Sequence, residues 1–195
     1  MIFMKLNDVL TIHDTLNRKF WADDKLKDEI LYNLRSIAQD FFKELNLEGV
    51  EIDDITFTGS LANFNYTSYS DIDLHILVDF NKIDENEELV REYFSGKSSN
   101  WNNKHNINIF GHEVEIYVQN SKEPHHSTGI YSIKREAWVR MPKRKNPEID
   151  LQMVKRKVNS FVDMIERAED TYDSKKYIDA HRQASKLIKK IKNFR

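Results

Sequence analysis

Cysteine is missing from this sequence altogether. Its absence excludes disulfides and any thiolate zinc site, and it points to a cytosol as the expected compartment. No apolar run approaches the ~20 residues that a membrane span needs. The opening Met1-Ile2-Phe3-Met4-Lys5 is too short, and turns polar too soon, for a secretory signal. No membrane partner is expected, and Asn65-Tyr66-Thr67 is read as a chance glycosylation triplet. Proline and glycine are sparse, three and five in 195 residues. Neither an internal repeat nor a low-complexity segment interrupts the chain.

Hydrophobic residues make up 39% of the chain and charged residues 32%. Those proportions suit a globular protein with much surface, and the length suits one domain or a core with a small helical appendage. The net charge of −2 hides an asymmetry. Lys134, Arg135, Arg140, Lys143, Arg144, Lys145, Lys155, Arg156 and Lys157 are interrupted by only Glu136, Glu148 and Asp150, and the last ten residues hold five cations and no acid. A polyanionic ligand held between an acidic first half and a basic second half, with metal on the acidic side, would use this distribution. Ordinary solvated helix faces would also show such runs.

The most informative stretch runs from Thr58-Gly59-Ser60-Leu61 to Ser70-Asp71-Ile72-Asp73-Leu74. A strand alternates its side chains between two faces. Ile72, Leu74, Ile76, Val78 and Phe80 would share one face, and Asp71, Asp73 and then His75 the other. Two acids a few ångströms apart on one face repel each other unless a cation lies between them. Gly59 lets the backbone approach a ligand closely, and Ser60 offers a hydroxyl and an amide to phosphate. Downstream, Val114, Ile116 and Val118 alternate with Glu113, Glu115 and Tyr117, which puts two further acids on the polar face of a second strand.

A Gly-Ser turn followed, after about ten residues, by Asp-x-Asp in an apolar run resembles the signature of the DNA polymerase β-like nucleotidyltransferase superfamily. The resemblance covers about residues 50 to 120. It implies an α+β fold with a small mixed sheet, here with N-terminal helices and a C-terminal helical hairpin. It also implies a third carboxylate from a later strand, for which Glu115 is the better match and Glu113 the reserve. A glutamate there departs from the family's aspartate by one methylene. The resemblance further implies that Asp71 and Asp73 bind two Mg²⁺ ions, with Mn²⁺ as the alternative. Glu115 would bind the catalytic metal and help deprotonate the attacking hydroxyl. Gly59 and Ser60 would hold the β/γ-phosphates of an NTP, and Ser70 would support the phosphate or the turn. The acceptor is an RNA end, a protein side chain, a small molecule or another nucleotide. The competing expectation is a non-catalytic nucleotide- or RNA-binding module on the same fold.

Taken in order, the chain predicts an amphipathic helix over 5–20, on Leu6, Val9, Leu10, His13, Leu16 and Phe20. A stronger helix starts at Asp23 and Asp24 and carries Leu26, Ile30, Leu34, Ile37, Phe41 and Leu45, with Gly49 as its stop. A strand covers 52–58, a short helix 61–64 and a helix 85–94. The stretch 96–103, rich in serine and asparagine, reads as a surface loop. Residues 106–110 and 113–119 read as a hairpin, and 129–132 and 136–140 as a second one. His125-His126 invite a metal reading, but adjacent residues on a strand point apart. Tyr131 and Trp138 are candidate base-stacking residues, with core positions as the plainer reading. Cations between Lys134 and Lys145 are candidates for the triphosphate. Pro142 to Pro147 reads as a linker that divides a catalytic domain, 1–142, from a helical region, 148–195. Within the latter, Asp173 is expected to cap the last helix.

Overall fold

The computed structural model describes residues 12–144 and 151–192. It divides into two compact units, 1–145 and 146–195. The first is an α+β unit. A small ribbon, β1 (Trp21–Ala22) and β2 (Lys25–Leu26), leads into helix α1 (Asp28–Leu45). Strand β3 (Asp54–Thr58), a 3-10 turn (Ser60–Ala62) and strand β4 (Ile72–Val78) follow. A second 3-10 turn (Phe80–Lys82) precedes helix α2 (Glu87–Lys104). The remaining strands are β5 (Asn108–Ile109), β6 (His112–Asn120), β7 (Ile130–Ser132) and β8 (Ala137–Arg140). The six-stranded sheet has the order β5-β6-β4-β3-β7-β8. It is mixed, because β4 and β6 run parallel while the other pairs are antiparallel.

Alternation on β4 gives the sheet its two faces. Ile72, Leu74, Ile76 and Val78 are fully buried, while Asp73, His75 and Leu77 between them are partly accessible. The apolar face joins Ile55 and Phe57 of β3, Ile116 of β6 and Tyr131 of β7 in one core with the α1 stripe Ile30, Leu31, Leu34, Ala38, Phe41 and Leu45. Burying such side chains is worth roughly 1.5–3 kcal/mol each, which is what fixes the register. Helix α1 ends where Asn46 turns left-handed (φ 48°) and donates its N–H to Lys43 O.

Several expectations need correction. The helix expected over 5–20 falls partly on residues 1–11, outside the described residues, but 12–20 form bends and turns. Here His13 stacks on Tyr66 at 3.8 Å and gives its N–H to Phe64 O, so tertiary contacts hold the start of this segment out of a helix. Asp23 and Asp24 do not start α1; they are the two-residue turn of the β1–β2 ribbon, with Asp23 at φ 52°, and Leu26 lies in β2. The stretch 96–103 is helical, because α2 continues to Lys104. Val90, Phe94, Ser98 and Trp101 share its buried face, and packing overrides the weak local preference. Asn102 fixes the end of α2: its Oδ1 accepts from Ile116 N (3.0 Å) and its Nδ2 donates to Ile116 O (3.1 Å).

The second unit holds helices α3 (Leu151–Asp173) and α4 (Tyr177–Lys192). Asp173 ends α3 rather than capping α4; the link turns through Lys175 at φ 61°. Ala180 and Leu187 are buried within the hairpin. No helix among the described residues is long and apolar enough to cross a membrane.

Candidate active site

At one end of the sheet, β3 finishes at Thr58 opposite Asp73. The chain then turns at Gly59, with φ +77° and ψ −162°, a region only glycine enters readily. A Cβ at this position would stand 1.8 Å from Oδ2 of Asp73. Two independent constraints therefore require glycine, and the backbone of the turn lies directly against the carboxylate. The Ser60 hydroxyl donates to the Ser70 hydroxyl (2.6 Å), which also accepts the Thr67 N–H (2.9 Å). Buried His112 brings its Nδ1 to 2.6 Å from Ser70 O, so Nδ1 carries the proton of a donated hydrogen bond. These contacts tie the Gly59–Ser60 turn, the 67–70 turn and the start of β6 together immediately before Asp71.

Parallel pairing places Asp73 opposite Glu115 and His75 opposite Tyr117. In-register neighbours on adjacent strands project to the same face of the sheet. The Tyr117 hydroxyl donates to Glu115 Oε2. Burial first, then that hydrogen bond and the charges of Glu115, Asp73 and Asp71, push the phenol's pKa well above its ordinary value. All three carboxylates thus act on one neighbourhood. Glu113 is exposed opposite Asn108, at the end of the β5–β6 hairpin.

Part of the rest of this face is covered. After β6, Ser121 N–H donates to Val78 O, and the 121–129 segment returns across the sheet. His125 meets His75 edge-on at 4.7 Å, Asn63 Nδ2 donates to Thr128 Oγ1 (2.5 Å), and Gly129 lies against Ala62 O. The pKa of His75 is pushed down to about 3 by burial and then by His125, with a hydrogen bond to Gln119 opposing. His125 is lowered as well, by burial, Arg140 and His126. Its Nδ1 accepts the Ser127 N–H (3.2 Å), so His125 serves the loop and the cover over His75, while His126 is exposed.

The basic stretch divides between the ends of the sheet. Lys134 Nζ donates to Ile52 O (2.9 Å), and Arg135 Nη2 bonds Asp54 Oδ2 (2.8 Å), at the end of β3 away from Gly59. Arg140 lies at the near end, where it donates to Ser127 O (2.8 Å) and His125 O (3.2 Å). Arg144 pairs with Asp14. Tyr131 is buried in the core, and the partly buried Trp138 packs against that core, stacking on Trp21 at 4.7 Å and donating Nε1–H to Asp24 O (2.6 Å). Sequence reasoning put Tyr117 on the correct face without a role, and it gave none to His112. The i, i+2 spacing from Glu115 was the available signal for Tyr117; His112 had none, because its partner is a backbone carbonyl.

Among the described residues, no three histidine, aspartate or glutamate side chains close into a metal cage on their own. Mg²⁺ does not ask for one, since it keeps water and substrate phosphate oxygens among its ligands. The donor set is all oxygen, and the Asp73–Glu115 register places two of its members side by side.

A family model described as a nucleotidyltransferase domain matches residues 34–137, more than half of the 195-residue chain. The match spans the Gly59–Ser60 turn, Ser70, Asp71, Asp73 and Glu115. Among solved structures, the chain resembles the STING-associated CdnE c-di-GMP synthase from Capnocytophaga granulosa, with 17% identity and a TM-score of 0.23. That likeness covers 72% of this chain and 50% of the other, so the chain spans half that structure's length. No curated protein sequence matches.

Proposed function

This chain belongs to the nucleotidyltransferase domain family, and from that premise we propose that it transfers a nucleoside monophosphate from an NTP to an acceptor hydroxyl. In that step the acceptor oxygen forms a bond to the α-phosphorus. The bond from that phosphorus to the bridging oxygen breaks, and pyrophosphate leaves with the electron pair. The observation that carries this reading is the register that sets Asp73 beside Glu115, next to a glycine turn that lies against Asp73.

Asp71, Asp73 and Glu115 are the residues that would hold divalent cations, two Mg²⁺ or alternatively Mn²⁺. Bound there, the metals would supply charge neutralisation and an activated acceptor oxygen. The chain's own groups do the rest. The Gly59–Ser60 turn offers its backbone N–H groups to the β/γ-phosphates. Ser70 anchors that turn through Ser60 Oγ and so holds the phosphate site at a fixed distance from β4. Glu115 accepts the acceptor's proton. Residues 1–142 form the catalytic domain in this reading, and 148–195 a separate helical region. The acceptor is an RNA end, a protein side chain, a small molecule or a second nucleotide.

The test is incubation with α-labelled NTPs and Mg²⁺, alone and with each class of acceptor. Label should move to an acceptor with release of pyrophosphate, and Asp73→Asn should abolish it. Equal transfer by wild type and Asp73→Asn would remove the assignment. Nucleotide binding without pyrophosphate release would make the protein a binding module.

A further inference from the structure

Glu115 carries one methylene more than the family's aspartate, and so one more rotatable bond between the strand and its carboxylate. A ligand with that freedom binds a cation only after it has been ordered, which costs rotamer entropy. The structure contains a device that removes the freedom. Tyr117 lies two residues along β6, on the same face, and its hydroxyl donates to Oε2 of Glu115. The phenol is itself held: its ring stacks on His75, its cross-strand neighbour, at 5.1 Å and 26°. His75 is in turn pressed by the His125 ring at 4.7 Å. The imidazole and the loop above it form a fixed backstop, and tyrosine has only two side-chain torsions to order.

We infer that Tyr117 is the positioning residue of Glu115: its phenol holds Oε2 and leaves Oε1 as the oxygen presented beside Asp73. This rests on the reading of Glu115 as a metal ligand. Partners that orient a ligating carboxylate contribute about 10–100-fold in metal affinity. The arrangement also accounts for the departure from aspartate, because a shorter carboxylate at 115 would draw back toward the strand and away from the phenol.

Direct Mn²⁺ titration by electron paramagnetic resonance, with a non-hydrolysable NTP present, tests this without turnover. Tyr117→Phe keeps the ring on His75 and removes only the hydroxyl. It should weaken Mn²⁺ binding about 10-fold, with the melting temperature close to wild type. In label transfer it should lower kcat and leave KM for NTP within twofold. In a Glu115→Asp background the same change should have little effect, because the contact is already gone. The inference is overturned if Tyr117→Phe binds Mn²⁺ as wild type does, or if it weakens binding equally in the wild-type and Glu115→Asp backgrounds. Glu115→Gln separates the two levels. If it binds Mn²⁺ normally, the ligand assignment falls and this inference with it. If it loses Mn²⁺ while Tyr117→Phe does not, only the positioning role falls.

Discussion

The two ends of one sheet face treat their acids in opposite ways. At the far end, Asp54 is buried and is answered from within the chain. Arg135 meets one oxygen at 2.8 Å, and the Ser132 hydroxyl (2.7 Å) and the Ile55 N–H (2.8 Å) meet the other. At the near end, the carboxylates of Asp71, Asp73 and Glu115 together oppose ionisation of a single phenol. Between the ends lies His75, roofed by the 121–129 segment and kept neutral. A carboxylate matched by arginine inside the fold contributes to stability. Several carboxylates gathered on one side concentrate negative potential where a cation can use it.

The sharpest break of this contrast is Asp73→Asn. It should lower label transfer on the order of 10³-fold or more while the fold persists, as read by activity alongside circular dichroism. Next comes Gly59→Ala. The backbone conformation alone costs about 1–3 kcal/mol for a residue with a Cβ, and that atom would collide with Asp73. Both the melting temperature and transfer should drop, the latter on the order of 100-fold. Arg135→Met probes the other end. It should cost about 1–3 kcal/mol in urea unfolding by stripping a buried carboxylate of its partner, and leave transfer unchanged. A loss of transfer comparable to that of Asp73→Asn would dissolve the distinction between the two ends.

The smallest effect at neutral pH is the acid response of the covered middle. An unfolded histidine titrates near 6.5, whereas folded His75 stays neutral down to about 3. Between those values the unfolded chain binds a proton that the folded one refuses. Stability is therefore full above about 6.5 and falls as pH drops through that window, by about 1.4 kcal/mol per pH unit for one proton. His125, also lowered, acts in the same direction. Urea midpoints from pH 7 to 4 should show this slope in wild type and a slope shallower by about one proton in His75→Gln. Parallel slopes would mean that the cover does not exclude the imidazolium.

Alternation made much of this legible. The apolar set from Ile72 to Val78 and the set Val114, Ile116 and Val118 place Asp73 and Glu115 on polar faces before any coordinates are known. Spacing also predicts the α1 stripe. The parts that were not legible are those whose cause lies in tertiary contact. The non-helical 12–20 segment is held at His13 by Tyr66 and Phe64, and α2 runs through a polar stretch because Ser98 and Trp101 pack inward. The two-residue ribbon turn at Asp23-Asp24 imitates a helix cap in sequence. Lys134 and Arg135 are candidate triphosphate cations by composition, and antiparallel pairing of β7 with β3 carries them to the end of β3 away from Gly59.

The carboxamide of Asn102, clasping the N–H and C=O of Ile116, acts as a counterfeit strand one residue long. It occupies hydrogen-bonding sites through which another copy of the chain would otherwise zip onto β6, so crowding should not drive sheet-to-sheet stacking there. The clasp also ties α2 to the residue next to Glu115. A partner that tugged on that helix would therefore pull at β6 itself.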